Sequence, residues 1–312
     1  MNNMNVLYYI IYVNAYLVSL LPMRALYVIS DFFYIIIYKM LHYRASVVRT
    51  NLRNSFPHKD EKERLKIERE FYHWFCDYIV ETLKLTSISE QEMRRRMRFE
   101  GLDEVCRLTE QGKNVSVYMG HYCNWEWVSS FGMHLPQYKC GQIYHELENK
   151  AMNRFFLKIR GRFGSISIRM NDTLQVIRHW VADGQTNLVG YISDQAPGYL
   201  DMHYWPMFLN QKTPTYTGTE RIAKLFDTAV FYMDMKRPRR GYYVATMVKL
   251  CDAARGEEKF ALTQRYYQLL EAAINEHPAY WLWSHRRWKR DWEGFCKLIP
   301  DERERERIMS KL

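Results

Sequence analysis

Short apolar runs alternate with amphipathic stretches over most of the chain. Apolar runs of about four to eight residues predict strands, and apolar residues that recur every three to four positions predict helices. Strands are predicted at 115–119, 142–144, 165–168, 187–192, 229–234 and 242–250. Helices are predicted at 60–85, 125–133, 151–160, 172–182, 219–225 and 259–276.

This alternation predicts an α/β fold, with a mixed, largely parallel sheet flanked by helices and right-handed crossovers. No repeat, low-complexity tract or Pro/Gly-rich linker divides the central part of the chain. We therefore predict one domain at 58–300, followed by a charged tail at 301–312, in which alternating Arg and Glu are typical of a solvated helix. In such sheets, ligands bind where strands end and helices begin.

The N-terminus holds two apolar stretches, 6–21 and 25–41, each interrupted by a polar or charged residue. A helix that spans a bilayer needs about 20 apolar residues, so neither stretch is a clean span. They are either buried core helices or a membrane anchor that spans the bilayer or lies in its interface. The basic residues at and beyond the end of the second stretch favour the anchor, with the body on the cytoplasmic side: Lys39, Arg44, Arg49 and Arg53. Residues 1–57 are thus predicted to be a hydrophobic, helical membrane anchor with a basic juxtamembrane segment.

The composition narrows the class of partner. Hydrophobic residues make up 47% of the chain and charged residues 26%, which is typical of a folded protein. The net charge of +10 suits an anionic membrane surface or an acidic protein partner. No nucleic-acid-binding motif is present, so nucleic acid is not a predicted partner. The six cysteines form no CxxC pair, and we predict reduced thiols and no metal site.

A histidine and a glutamate five residues apart follow the earliest predicted strand. If His121 lies on the turn and Glu126 in the first helical turn, the carboxylate can hold one ring nitrogen and fix the tautomer. The other nitrogen is then free to take a proton from a hydroxyl, as in a Ser–His–Asp triad with the substrate alcohol in the place of the serine. Gly120 would permit the tight bend, and Asn124 would cap the helix.

The same motif is compatible with two different roles for its residues. His121 could be a structural histidine, held by hydrogen bonds in the core. Cys123 could be a nucleophile that forms a thioester with the acyl group.

Polar residues also mark three later positions. Asp194 follows the strand at 187–192 and either points into the ligand crevice or is an ordinary turn residue. Thr217 and Glu220 form a predicted capping box, and this threonine-rich helix start would also suit a phosphate. Tryptophans alternate with cations at 281–290, a pattern typical of contact with phosphates and headgroups at a membrane interface.

Taken together, these blocks resemble the late (secondary) acyltransferases of lipid A synthesis in Gram-negative bacteria, within the H-x4-D/E lysophospholipid-acyltransferase-like superfamily. The resemblance covers residues from about 20 to 292. It rests on these blocks, in the order of the family: NL..SFP at 51–57, GHYCNWE at 120–126, an Asn followed by RGRFG at 153 and 160–164, SDQ at 193–195, and WSHRRWK at 283–289.

The resemblance implies an enzyme on the cytoplasmic face of the bacterial inner membrane. It would transfer a fatty acyl group from acyl carrier protein, or from a CoA thioester, to a hydroxyl of an acylated glucosamine lipid, without a cofactor. It makes His121 the general base, Glu126 its orienting partner, and Arg160 a catalytic or substrate-contacting residue. The other predicted substrate-binding residues are Asn153, Arg162, Asp194, Gln195, Thr217, Arg286 and Arg287.

Two alternatives remain: the first keeps the chemistry and changes the acceptor, and the second is a different class of protein. One is an O-acyltransferase that acts on another lyso-lipid, with an aminoacyl lipid or a phospholipid as acceptor. The other is a membrane-associated scaffold without enzymatic activity, in which the His–Glu pair is structural. The bulky segment 122–125 inside the His–Glu motif differs from that of some family members, so the sequence does not fix the acceptor or the acyl-chain length.

Overall fold

Helices and strands alternate along residues 3–310, which the computed structural model describes. The helices are α1 Asn3–Ser19, α2 Met23–Tyr34, α3 Ala45–Ser55, α4 Glu61–Lys84, α5 Glu90–Arg96, α6 Leu102–Glu110, α7 Lys150–Arg160, α8 Thr173–Ala182, α9 Gly218–Leu225, α10 Ala261–Glu276, α11 Trp292–Leu298 and α12 Glu302–Ser310. The strands are β1 Met97–Glu100, β2 Val115–Met119, β3 Lys139–Tyr144, β4 Ile166–Arg169, β5 Asn187–Ile192, β6 Met207–Phe208, β7 Gln211–Lys212, β8 Ala229–Arg239 and β9 Tyr242–Cys251. A π-helical turn, Ile35–Met40, extends α2, and a 3₁₀-helix covers Trp127–Met133.

Seven of the described strands form one mixed sheet in the order β1-β9-β8-β2-β5-β3-β4. β8 and β9 pair in antiparallel fashion, and the other neighbours in this sheet pair in parallel. The predicted fold class, a largely parallel sheet flanked by helices, is confirmed. The sequence pattern missed β1, because two of its four residues are charged and alternate with the two apolar ones. It also missed the two-residue strands of the β6–β7 hairpin.

The centre of the sheet sets the position of the site. All five residues of β2 are buried, because helices and loops cover both faces of the sheet at this strand. β2 and β5 are neighbours, and their register pairs Met119 with Ile192. The residues that follow these two strands therefore emerge side by side at the carboxyl edge of the sheet.

The N-terminal helices pack on the body of the protein. α1 lies against α7 and α4, and α2 runs along α4. Polar contacts between α2 and α4 support this packing: the Tyr27 hydroxyl donates to Glu81 over 2.8 Å, and the Ser30 hydroxyl donates to Asp77 over 2.6 Å. The same segment therefore contributes both to the core and, through its other side, to the surface.

The outward side of these helices is apolar. Large exposed side chains include Ile10, Leu17, Val28, Phe32 and Ile35. Within the described residues, no single helix is long and apolar enough to cross a membrane. The segments Asn5–Ser19 and Met23–Met40 meet that requirement of length and composition only as a pair, and they are bent by 116°.

The end of the chain forms a small second core. α12 lies in the segment predicted to be a solvated helical tail, but its Ile308 is buried. Ile308 packs with Phe295 and Ile299 of the preceding segment and with Met202. The C-terminal helices thus cover the loop that follows β5.

Candidate active site

His121 and Asp194 meet at the carboxyl edge of the sheet. Each lies two residues beyond one of a pair of residues matched in register, Met119 on β2 and Ile192 on β5. The His121 Nδ1 atom is 2.6 Å from Asp194 Oδ1, and the His121 backbone N–H donates to Asp194 Oδ2 over 2.9 Å. The strand register therefore brings together two residues that are 73 positions apart in the sequence.

Asp194 is almost completely buried and fully hydrogen-bonded. Besides His121, the Trp281 indole Nε1–H donates to Oδ2 over 2.8 Å. Burial by itself raises the pKa of this carboxyl, but the His121 ring and the donated hydrogen bonds outweigh it and lower the pKa to about 2. Asp194 is therefore ionised at neutral pH. Its contribution to folding stability is present above the unfolded pKa of about 3.8 and is lost as the pH falls through about 2.

The pairing with Asp194 fixes the tautomer of His121. An ionised carboxylate only accepts hydrogen bonds, so Nδ1 of the neutral ring carries the proton and Nε2 carries the lone pair. The Gln195 amide nitrogen lies 3.2 Å from Nε2, and the indole of Trp125 packs against the ring in an edge-to-face arrangement, with 5.1 Å between the ring centroids. The His121 side chain keeps an exposed fraction of 17%, and the residue lines a cavity. This arrangement suits a general base.

Glu126 does not contact the His121 ring, and the predicted pairing of the two is wrong in this structure. Its carboxylate binds Arg160 through two hydrogen bonds, from Nε over 2.7 Å and from Nη2 over 2.6 Å. The physical reason is local: Glu126 does not lie in the first turn of an α-helix, because a 3₁₀-helix begins only at Trp127. A two-pronged arginine–carboxylate pair is among the strongest polar contacts available to a buried glutamate.

The turn at 120–124 is built differently from the prediction. Cys123, not Gly120, takes a left-handed backbone conformation, with φ of 52°. Gly120 is instead closely packed: a Cβ atom there would lie 2.6 Å from Leu270 Cδ1, so the leucine side chain would have to shift. Asn124 caps as predicted, since its Oδ1 accepts from the Trp127 N–H over 3.0 Å. Cys123 is fully buried, and burial raises the pKa of its thiol well above the usual value, which argues against a nucleophilic role.

A cavity of about 460 Å³ opens beside His121. Its polar wall holds the site residues His121, Glu126, Arg160, Ser193 and Gln195, and its apolar wall is formed by side chains of the sheet and of the 3₁₀-helix, among them Val117, Met119, Leu188, Val128 and Phe131. Among the residues that the structure describes, no group of three or more His, Cys, Asp or Glu side chains is arranged to hold a metal ion. The arrangement can bind an apolar chain and deprotonate a hydroxyl at one end of it.

Comparison with known proteins matches residues 3–290 to the family described as bacterial lipid A biosynthesis acyltransferase. The chain belongs to this family. Among its relatives, it is 26% identical to the lipid A biosynthesis palmitoleoyltransferase of Escherichia coli K12 over 249 residues, which cover 79% of each chain. It is 22% identical to the lipid A biosynthesis lauroyltransferase of the same organism over 254 residues, which cover 80% of this chain and 81% of that relative. It is also 23% identical to a lipid A biosynthesis acyltransferase of Haemophilus influenzae, over 79% of this chain and 78% of that relative.

Family membership makes the protein an acyltransferase. Some of the other predicted site residues lie at the cavity and others lie away from it. Asn153 lies outside the cavity wall, and its Oδ1 accepts from the Leu147 N–H over 3.1 Å. Leu147 itself lines the cavity, so Asn153 shapes the wall indirectly. Arg162 points away from the site and donates to the backbone carbonyls of Leu85 and Ile88, where it ties the end of α7 to the end of α4.

Thr217 does not form the predicted capping box. Its hydroxyl makes no capping hydrogen bond at the start of α9 and has no hydrogen-bond partner within residues 3–310. Glu220 is drawn elsewhere, because its carboxylate accepts from the backbone N–H of Thr263 over 2.9 Å and from the hydroxyl of the same residue over 2.7 Å. The neighbouring residues Gly218 and Thr219 line the cavity, whereas Thr217 does not.

The two arginines of the WSHRRWK block have different environments. Arg286 is exposed, but Arg287 is fully buried and donates to the Pro214 carbonyl over 2.5 Å and to the Tyr267 hydroxyl over 3.2 Å. The Arg287 guanidinium is enclosed by the fold and is not open to a headgroup in this structure, so of the two predicted roles of the pair, shaping the site and binding phosphate, its position suits the first. Trp281 and Trp283 are buried as well, so these two tryptophans of the 281–290 segment pack into the core and do not form a membrane-facing surface.

Trp281 is the site residue whose role the sequence did not reveal. The segment that carries it clamps the His121 loop: the Leu282 N–H donates to the His121 carbonyl over 3.2 Å, and the Cys123 N–H donates to the Tyr280 carbonyl over 2.9 Å. The tryptophan-rich composition marked this segment as unusual. It gave no sign that one indole faces the Asp194 carboxylate.

Proposed function

We propose that this acyltransferase moves a fatty acyl group from an acyl-carrier-protein thioester to a hydroxyl of a lipid A precursor, with His121 as the general base. The observation that carries the proposal is the His121–Asp194 pair, which in the neutral ring leaves the Nε2 lone pair at the wall of a largely apolar cavity. Names of the relatives support the acceptor, because they describe lipid A biosynthesis with palmitoleoyl and lauroyl groups.

In the proposed reaction, the acceptor hydroxyl attacks the thioester carbonyl while its proton passes to Nε2 of His121. The new oxygen–carbon bond forms, the carbon–sulfur bond breaks, and the imidazolium returns the proton to the departing thiolate. Asp194 stabilises the imidazolium that forms between these steps and keeps Nδ1 protonated throughout. The reaction therefore consumes no oxidant, reductant or cofactor.

Arg160 is the proposed electrostatic contact of the reacting carbonyl. Its side chain has an exposed fraction of 22% and lines the cavity, while Glu126 holds one edge of the guanidinium. A fixed cation at the cavity wall would stabilise the negative charge that develops on the thioester oxygen, without any reorganisation during the reaction. In this proposal, Glu126 positions Arg160 and does not orient His121.

The proposed location is the cytoplasmic face of the bacterial inner membrane. Exposed apolar side chains on α1 and α2 would enter the membrane interface, and the net charge of +10 would favour anionic lipids and an acidic carrier protein. Because both helices also contribute to the core, the proposal has them lying along the membrane surface with the body attached.

The test of this function is direct transfer. Purified protein is incubated with an acyl-carrier-protein thioester and a lipid A precursor, and the product is read by mass spectrometry. We expect the mass of one acyl group to be added in an ester linkage. Parallel reactions offer a lyso-phospholipid or an aminoacyl lipid as acceptor and acyl-CoA as donor. Transfer only to one of these other acceptors would overturn the assignment of the acceptor, and no transfer to any lipid would overturn the proposal.

The proposed membrane-binding surface of α1 and α2 is tested by placing charges on its exposed apolar side chains. Leu17 and Phe32 each have an exposed fraction of 59%. Burying each side chain in the membrane interface contributes about 1.5–3 kcal/mol, so the Leu17→Glu/Phe32→Glu double variant is expected to bind vesicles with anionic lipids at least about 100-fold more weakly. The measurement is sedimentation with vesicles of stated composition.

A matched control comes from another exposed leucine. Leu298 has an exposed fraction of 57% and lies on α11, whose Phe295 packs in the small C-terminal core and not in the core that the N-terminal helices join, so Leu298→Glu should leave vesicle binding unchanged. Equal binding by the double variant and the control would show that the membrane surface lies elsewhere. Substitution is preferred to deletion of residues 1–41, because deletion would uncover buried parts of α4.

A further inference from the structure

Gly190 lies in the middle of β5, a central strand of the sheet, yet it is not buried. Its strand neighbours Leu188, Val189 and Tyr191 are all buried. A residue at the centre of a covered sheet is usually enclosed, so partial exposure at this position needs a local cause. The cause is the cavity, which Gly190 lines together with Leu188 and Ile192.

The missing side chain of Gly190 keeps the cavity open. A Cβ atom at this position would lie 3.1 Å from the methyl carbon of Met119, a side chain that lines the same cavity. Glycine weakens a strand interior, and its presence there often marks a close approach by a ligand. A larger side chain at position 190 would project from this face of the sheet, against Met119 and into the cavity.

The register of β2 and β5 shows how deep in the cavity Gly190 lies. Leu188 pairs with Val115, and Gly190 pairs with Val117, whereas His121 lies just beyond Met119. At about 3.3 Å per residue, the cavity extends about 13 Å along the strands from Met119 to the level of Leu188, and Gly190 is about halfway. Only a long acyl chain that begins near His121 would reach past this point.

We propose that Gly190 determines the length of the acyl chain that this enzyme transfers, because it leaves the cavity open between the site at His121 and the apolar end at the level of Leu188. This inference rests on the proposed function, since it takes the occupant of the cavity to be the acyl chain of the thioester donor. A chain short enough to end before Gly190 is insensitive to a side chain there. A chain that passes Gly190 competes with it for the same space.

The experiment compares butanoyl and palmitoyl thioesters of acyl carrier protein as donors for the wild type and Gly190→Val. One methylene too many in an apolar pocket changes rates about 10–200-fold, so the ratio of palmitoyl to butanoyl transfer is expected to fall at least about ten-fold in the variant. If Gly190→Val does not fold, Gly190→Ala replaces it. The flexible end of Met119 can give way to the alanine methyl, and the ratio is then expected to shift in the same direction by a smaller factor.

The matched control is Val189→Ala. Val189 is the next residue of the same strand, is buried, and lies on the opposite face of the sheet, so the substitution lowers stability without narrowing the cavity. An unchanged donor ratio in a folded Gly190 variant overturns the inference and leaves the proposed function standing. An equal shift of the ratio in Val189→Ala also overturns it. If the wild type transfers an acyl group from neither donor, the proposed function itself is overturned.

Discussion

His121→Ala is expected to lower the initial rate of acyl transfer at least about 100-fold, the usual contribution of a positioned general base. The fold should be retained, because the ring is partly exposed and its removal opens space onto an existing cavity. Asp194→Asn is expected to act in the same direction: an amide can donate to Nδ1 and so leave the proton on Nε2, where it blocks the acceptance of another. The measurement is the initial rate with a thioester donor and a lipid A precursor, together with the melting temperature.

His179→Ala is the control for this pair of variants. His179 is exposed on α8, where it lies 3.4 Å from Asp183, and it should tolerate replacement with little change in rate. A rate close to that of the wild type in a folded His121→Ala variant would contradict the role of this residue as base. A loss in His121→Ala with full activity in Asp194→Asn would leave the base in place but contradict its orientation by Asp194.

The sequence was sufficient for the central strands and for the positions of His121 and Asp194 after two of them, because both depend on local patterns. Apolar runs of β-type length located the central strands, and the expectation that ligands gather at carboxyl ends singled out His121 and Asp194 separately. Their contact was missed, because it depends on which strands are neighbours. Once β2 and β5 are known to pair in register, positions two residues beyond Met119 and Ile192 are adjacent.

The predicted contact between Glu126 and the His121 ring was wrong, because backbone conformation within the motif cannot be read from spacing. Five positions separate His121 from Glu126, but the left-handed residue Cys123 and the late start of the 3₁₀-helix turn the two side chains apart. The burial of Arg287 was missed for a different reason. A cation among tryptophans has the same composition whether the segment faces a membrane or folds inward, and here Trp281 and Trp283 are buried.

The N-terminal helices show the same limit of composition. α1 is apolar on nearly all sides, so its sequence does not separate the side that packs on α7 from the side that faces outward. The structure assigns Tyr8 and Ala15 to the core and leaves Leu17 exposed. The two alternatives for this segment, core helices and a surface anchor, are therefore not exclusive.

Arg160→Met is expected to lower the free energy of unfolding by about 3–5 kcal/mol, because it leaves the Glu126 carboxylate buried without its charged partner. Glu126 has an exposed fraction of 3%, and Arg160 supplies both of its short hydrogen bonds. The Glu126→Gln/Arg160→Met double variant removes both charges and should recover most of the lost stability. The measurement is denaturant unfolding of the wild type, both single variants and the double variant.

The exposed pair of Arg169 and Glu146 provides the control, with a nitrogen–oxygen distance of 2.7 Å and exposed fractions of 53% and 48%. Arg169→Met should cost at most about 1 kcal/mol, because water screens surface ion pairs. If Arg160→Met costs no more than this control, the buried pair does not stabilise the fold as argued. The initial rate then separates the two roles of Arg160. A stable double variant that stays inactive supports contact with the reacting carbonyl, whereas a stable and fully active one would show that the Glu126–Arg160 pair acts on the fold alone.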